Sequence, residues 1–93
     1  MVAFFLSVII VQISAGILVK PDKVLDCVGL YCPEPIFRAR NTLDNMGSGE
    51  VLKVISDDPS SENEFKWFVD RFNHRLISLH VVDGQIITLI QKR

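Results

Sequence analysis

The sequence has little cysteine and no excess of charge of either sign. Its 93 residues contain two cysteines, too few for a fold that depends on several disulfides, although Cys27 and Cys32 are close enough in sequence to form a single bridge. The paired ligand spacings of a structural zinc site are also missing. Ten Lys and Arg residues against eleven Asp and Glu residues give a net charge of −1, which argues against binding nucleic acid by neutralising its phosphates. We therefore expect one small domain with no metal, no cofactor and no direct nucleic-acid partner.

One long apolar run stands at the N-terminus. Residues 2–19 carry no charge, and as an α-helix they would extend about 27 Å, just short of a hydrocarbon layer of about 30 Å. Three interpretations are open: a membrane anchor, a signal peptide cleaved near the small residues 14–16, or a start-site artefact or a segment packed on the domain. Two lysines follow the run, a bias that places the domain on the cytoplasmic side of a membrane. We therefore divide the chain into an apolar segment, residues 1–19, and a domain, residues 20–93.

Four segments have the composition of β-strands. "KVLDC" (23–27) and "EVLKVIS" (50–56) are short and rich in aliphatic and β-branched residues. "LISLHVV" (76–82) and "QIITLIQ" (85–91) flank an Asp-Gly pair, the strongest short hairpin signal that a sequence offers. The pattern predicts two separate strands followed by an antiparallel hairpin.

The first predicted helix runs from Pro33 to Met46. Proline suits the first helical position, because its missing N–H would have no partner there, and this placement makes Cys32 the N-cap. Apolar residues recur every three or four positions along the segment, and Gly47 can end the helix in a left-handed conformation.

The second predicted helix has the clearest apolar stripe in the chain, formed by Phe65, Phe68, Val69 and Phe72. Its start has two candidate caps: Ser61 and Glu64 match a capping box, and Asp58 lies a few residues earlier. Asn73 can supply the left-handed residue that ends the helix. The resulting order, β-α-β-α-β-β, predicts an α/β (α+β) two-layer sandwich with both helices on one face of a mixed four-stranded sheet.

Three stretches of this domain carry a family resemblance. "LDCVGLYCPEP", "GSGEVLKVISDDPSS" and "FNHRLIS" resemble the TusA family of small sulfur-carrier proteins, also called SirA-like or YedF-like, over residues 23–93. The most specific part is a C-P-x-P box, residues 32–35, placed after an L-D-x-x-G-L stretch at residues 25–30. Tyr31 departs from the basic residue that often precedes the box cysteine, and residues 1–19 are an addition to the usual carrier.

The resemblance implies a function, a site and a class of partner. It implies that Cys32 accepts sulfane sulfur as a persulfide, supported by the motif residues Asp26, Gly29, Pro33, Glu34 and Pro35. The carrier would take sulfur from a cysteine desulfurase or rhodanese-like donor and pass it to an acceptor protein, as a sulfurtransferase-type carrier that works with partner enzymes and does not turn over alone. The sulfur could serve tRNA thiolation, a molybdenum cofactor, sulfur oxidation, selenium metabolism or sulfur transport at a membrane.

Physical chemistry gives a separate reading of Cys32. A thiolate is the nucleophile in sulfur exchange, and the N-terminus of a helix stabilises negative charge, so we expect its dipole to lower the pKa of this thiol. Glu34 opposes that shift. A cysteine-protease mechanism needs a base and an oxyanion site, and the sequence shows neither beside this residue. A sulfur carrier needs only an accessible sulfur on a rigid turn.

Cys27 has two interpretations. Side chains alternate between the two faces of a strand, and the position of Cys27 on the first strand places it on the inward face. This favours a small buried side chain. Alternatively it is a resolving thiol that attacks the Cys32 persulfide, closes a disulfide and releases sulfide, which would make the protein a thiol-based redox or regulatory interaction module.

The remaining candidate residues concern docking. Arg38 and Arg40 lie beyond the first turn of the box helix and could receive an acidic partner, and Trp67 lies opposite the phenylalanine stripe, where it could anchor an interface. His74 and His80 are expected to be structural, and Asp26 is expected to order the turn after the first strand.

Overall fold

The computed structural model describes residues 20–93. The three interpretations of residues 1–19, and with them the predicted cytoplasmic location at a membrane, lie outside these residues and stay predictions. Neither helix in the part of the chain that the structure describes is long and apolar enough to cross a bilayer. The elements, in chain order, are β1 (Lys23–Cys27), α1 (Glu34–Asp44), β2 (Val51–Ser56), α2 (Ser61–Arg71), β3 (Arg75–Val82) and β4 (Gln85–Gln91).

The four strands form one mixed sheet in the order β1-β2-β4-β3. β1 and β2 are parallel, with Cys27 opposite Ser56 at their carboxyl ends. β4 runs antiparallel to both β2 and β3. A parallel pair needs a crossover connection, and α1 supplies it. The predicted α+β sandwich and its element order are therefore confirmed.

The core lies between the two helices and one face of the sheet. The helices contribute Phe65, Phe68 and Leu43, which are fully buried, and the inward positions of the strands contribute Leu52 and Val54. The phenylalanine stripe packs edge to face, with the Phe65 and Phe68 ring centroids 6.4 Å apart. This burial, more than helix propensity, fixes both helices on the sheet.

The first helix differs from the prediction at both ends. It begins at Glu34 with Pro33 as N-cap, so Cys32 lies one residue outside the cap. It ends at Asp44 with Asn45 as C-cap, whose backbone φ is −100°. The N–H groups of Asn45 and Met46 donate to carbonyls three residues back. This tight last turn needs no left-handed residue, and Gly47 does not adopt the predicted conformation.

The other turn predictions are confirmed. Asn73 follows α2 with φ of 60°. Asp83 and Gly84, between β3 and β4, have φ of 50° and 78°, the positive values that a two-residue hairpin turn of type I′ requires.

Candidate functional site

The candidate site lies where the chain leaves β1 and β2. Because these strands are parallel and Cys27 pairs with Ser56, the loops that follow them start side by side at one edge of the sheet. Both helices also begin at this edge. Parallel pairing therefore places residues 28–33, which contain the box cysteine, beside residues 57–60.

Backbone hydrogen bonds to carboxylates fix the first loop. Asp26 Oδ1 accepts the N–H of Val28 at 3.0 Å, so this residue orders the turn as predicted. Gly29 has φ of 85°, a left-handed value that favours glycine, and its N–H donates to Asp57 Oδ1 at 2.9 Å. The glycine of the box motif thus lets the loop turn and present an amide to the neighbouring loop.

Asp58 holds the box cysteine and the start of α2 with one carboxylate. Its Oδ2 accepts the N–H of Cys32 at 2.7 Å, and its Oδ1 accepts the N–H of Ser60 at 3.1 Å. These backbone donors stabilise the ionised form, with Cys32 as the largest cause, and lower the pKa of Asp58. The backbone of Cys32 is therefore bound to the loop that precedes the second helix.

The Cys32 thiol is exposed and donates its hydrogen to a carboxylate. Sγ lies 2.7 Å from Glu64 Oε1, on the first turns of α2. This hydrogen bond, with smaller effects from partial desolvation and from the Glu64 and Asp58 charges, raises the pKa of the thiol, and only a weaker contact with Ser60 opposes it. In the free protein this contact therefore favours the neutral thiol of Cys32 over its thiolate.

The predicted lowering of the Cys32 pKa by the helix dipole is thus wrong. The dipole acts over the first turn of a helix, and Cys32 stands outside the N-cap of α1. A carboxylate in direct contact with sulfur disfavours the thiolate more strongly than a nearby helix end stabilises it. The opposing carboxylate is Glu64, and Glu34, which the sequence suggested, pairs with Arg38 instead.

The start of α2 explains why Glu64 reaches the sulfur. The predicted capping box is not formed: Ser61 is buried, and its hydroxyl shares a 2.8 Å hydrogen bond with Ser56. The N-cap is Ser60, which makes no side-chain cap bond, while Asp58 accepts its N–H. Because Ser61 packs inward and the capping box is not formed, the Glu64 carboxylate is available to accept the hydrogen of the Cys32 thiol.

The other residues of the box have structural roles. Pro35 is fully buried at the start of α1. Glu34 and Arg38 form an exposed ion pair of 3.1 Å one helical turn apart, a type of pair that contributes little stability. Pro33 provides the carbonyl that accepts the N–H of Phe37 at 3.1 Å. These residues therefore shape the turn.

Cys27 lies apart from this surface. Its side chain is fully buried in the core, and burial is the largest cause that raises the pKa of its thiol. Cys27 and Cys32 are both free thiols, and only Cys32 is exposed. This arrangement favours the structural interpretation of Cys27 over the resolving thiol.

Two of the proposed docking residues, Arg40 and Trp67, have different surroundings. The Arg40 guanidinium packs over the ring of Phe72, 4.6 Å from its centroid. Trp67 is 59% exposed on the outward side of α2, and Tyr31, next to Cys32, is 75% exposed. Residues 20–93 contain no group of three or more side chains suited to hold a metal ion.

Sequence reasoning missed three residues of this site: Asp57, Asp58 and Glu64. They lie 26 to 32 positions after the backbone or thiol groups that they bind. The available signal was the predicted β-α-β order, because a helix between two strands favours parallel pairing, and polar residues that follow two parallel strands meet at one edge of the sheet.

Comparison with known proteins shows the family of the chain. The sequence model of the family described as Sulfurtransferase TusA matches residues 23–92. The chain belongs to the TusA family. A protein of Archaeoglobus fulgidus, described as a candidate sulfur carrier protein, is 33% identical over 70 residues, which cover 75% of this chain and 91% of the relative.

A solved structure shows the same fold. The crystal structure of a SirA-like protein from Desulfitobacterium hafniense is similar with a TM-score of 0.68 and 25% identity, over 74% of this chain and 95% of that one. The TusA family resemblance is confirmed, and membership supports a role in sulfur transfer, with interaction with a sulfur donor and a sulfur acceptor protein.

Proposed function

We propose that this TusA-family protein carries sulfane sulfur as a persulfide on Cys32 and relays it to an acceptor protein. One observation carries the proposal: of the two thiols, Cys27 and Cys32, only Cys32 is exposed, and the hydrogen bond from its N–H to Asp58 holds its backbone in place. A buried sulfur could not meet the sulfur of another protein.

The chemistry is an exchange without net oxidation. The Cys32 sulfur, as thiolate, attacks the outer sulfur of a donor persulfide, a new S–S bond forms and the donor's inner thiolate leaves. The proton of the Cys32 thiol ends on that leaving thiolate or in solvent. In the second step an acceptor thiolate attacks the outer sulfur and Cys32 leaves as thiolate.

The redox alternative has less support. It requires Cys27 to attack the Cys32 persulfide, and the Cys27 sulfur lies in the core behind the sheet edge. Closing a bridge would therefore require the end of β1 to leave its packing.

The proposal is tested by incubating the protein with a small persulfide, removing the excess by gel filtration and then measuring the intact mass. The wild type should gain about 32 Da, one sulfur atom, and lose it on addition of an acceptor thiol. Cys32→Ala should gain nothing, and Cys27→Ala should load like the wild type. An adduct that survives in Cys32→Ala would contradict the proposal. A loss of about 2 Da in the wild type, absent in Cys27→Ala, would support the redox module.

Capture of partners tests the relay. Cys32→Ala and the wild type are compared as bait under conditions that preserve mixed disulfides and persulfides. A cysteine desulfurase, a rhodanese or a thiol-transfer acceptor should be retained by the wild type alone. Retention of the same proteins by both baits would show that the thiol does not take part.

A further inference from the structure

Two carboxylates, those of Glu64 and Asp58, act on the Cys32 thiol. Glu64 faces it from α2, and Asp58 and Ser60 face it from the loop before that helix. No cation of residues 20–93 is among the groups that act on this thiol. The cations in the second turns of the helices already have partners. Arg38 pairs with Glu34 at 3.1 Å, Lys66 pairs with Glu62 at 3.7 Å, and Arg40 packs over the ring of Phe72.

We propose that Cys32 is built to react with a partner protein that brings a cationic side chain, a lysine or arginine, to Glu64. The partner's cation pairs with the carboxylate and takes it away from the thiol, so the thiolate forms more readily within the complex than in the free protein. This inference rests on the proposed function, because it specifies the surface that the donor or acceptor protein presents.

The physical reason is the contact between sulfur and carboxylate. Glu64 accepts the thiol hydrogen at 2.7 Å, so ionisation of Cys32 would place two negative charges side by side. A cation at Glu64 neutralises one of them and can also stabilise the thiolate. The released proton moves to the partner's leaving thiolate or to water, and the exchange otherwise proceeds with the same bonds made and broken as before.

The contact also gives the free carrier a benefit. Because the thiolate is the form that exchanges with disulfides and is oxidised, a thiol held protonated reacts slowly with sulfur compounds other than its partner's. The carboxylate thus discriminates between a cationic reaction partner and a neutral or anionic one.

Three thiol reagents of the methanethiosulfonate class, one cationic, one neutral and one anionic, test this inference without any sulfane sulfur. In each case the Cys32 thiolate attacks the sulfenyl sulfur, a disulfide forms and methanesulfinate leaves. The rates are measured near neutral pH and low salt with wild type, Glu64→Gln and Glu62→Gln. Glu62 is the matched control because it lies on the same helix turn and bonds Lys66 instead of the thiol.

The wild type should react faster with the cationic than with the anionic reagent. In Glu64→Gln this ratio should fall by about threefold or more, the size expected for one exposed charge beside the reacting sulfur. The rate with the neutral reagent should rise in the same variant, and the pH of half-maximal rate should fall. Glu62→Gln should keep the wild-type ratio, neutral rate and pH profile.

An unchanged charge ratio in Glu64→Gln, or an equal change in Glu62→Gln, would overturn the inference. So would a neutral-reagent rate that stays constant or falls in Glu64→Gln, provided that circular dichroism shows the wild-type fold. The persulfide loading experiment separates this result from the function. If the protein loads with sulfur but Glu64→Gln leaves the ratio of the cationic to the anionic reagent rates unchanged, only the role of Glu64 is refuted. If Glu64→Gln lowers that ratio but the protein does not load, only the proposed function is refuted.

Discussion

The carboxylate of Asp58 joins two loops, because it accepts the backbone N–H of Cys32 at 2.7 Å while its other oxygen accepts the N–H of Ser60. Asp58→Ala removes both acceptors. Amide hydrogen exchange at Cys32 and Ser60 should then accelerate on the order of tenfold, the effect of one charge-assisted hydrogen bond, when it is followed by NMR.

Asp57→Ala is the matched control for this prediction. Asp57 accepts the N–H of Gly29, whereas Asp58 accepts that of Cys32, so the Asp57 variant should accelerate exchange at Gly29 and leave Cys32 unchanged. Equal acceleration of all three amides in both variants would mean that the loops open as one unit and that Asp58 does not hold Cys32 individually.

The burial of Cys27 predicts a difference in thiol reactivity. A chromogenic disulfide should titrate one thiol, Cys32, in the native protein and both thiols in denaturant, because only Cys32 is exposed. Cys27→Ala should lower the free energy of unfolding by about 1–2 kcal/mol through lost core packing. Rapid reaction of two thiols in the native state would contradict the buried position.

Phe68 and Trp67 are neighbours in sequence with opposite environments. Phe68 is fully buried, and its ring centroid lies 5.1 Å from that of Phe72. Phe68→Ala should therefore lower the free energy of unfolding by about 3–5 kcal/mol, a large share of the stability of a small domain. Trp67→Ala, at a position 59% exposed, should change it by about 0.5 kcal/mol or less. Urea unfolding followed by circular dichroism distinguishes the two, and equal losses would contradict the described core.

His74 predicts a pH dependence of stability. Burial, and then the charges of Lys92 and Arg93, lower the pKa of His74. A lowered histidine pKa means that the folded state prefers the neutral ring, so this stability is present above the unfolded pKa of about 6.5 and is lost as pH falls through the folded pKa.

The thermal midpoint of the wild type should thus fall as pH drops from about 7.5 towards 5.5. His74→Gln, which keeps an acceptor for the N–H of Arg93, should show a shallower fall over the same window. Identical slopes in the two proteins would mean that other groups cause the dependence.

Much of the fold was predictable because its signals are local. The Asp83-Gly84 turn, the phenylalanine stripe of α2 and the β-branched strands each depend on residues a few positions apart, and all of them formed as predicted. The end of α1 was not predicted correctly, because a last turn with hydrogen bonds between residues three positions apart replaced the expected glycine cap. Such closing geometry depends on backbone details that residue types do not specify.

The sequence also predicted some features of the site and missed others. The box itself pointed to Cys32, and strand parity pointed to a buried Cys27. The charge state of the thiol was predicted with the wrong sign, because the reasoning considered only the residues within one helix turn of it. The carboxylate that decides it, Glu64, is 32 positions away in sequence.

The order of elements and the family follow from the sequence alone, and the C-P-x-P box points to Cys32 as the candidate sulfur, since periodicity, turn residues and this box are short-range patterns. Only the tertiary structure decided which carboxylates meet that sulfur. The parallel register of Cys27 with Ser56 brings two loops to one sheet edge, and a contact across that edge is a property of strand pairing that no local pattern encodes.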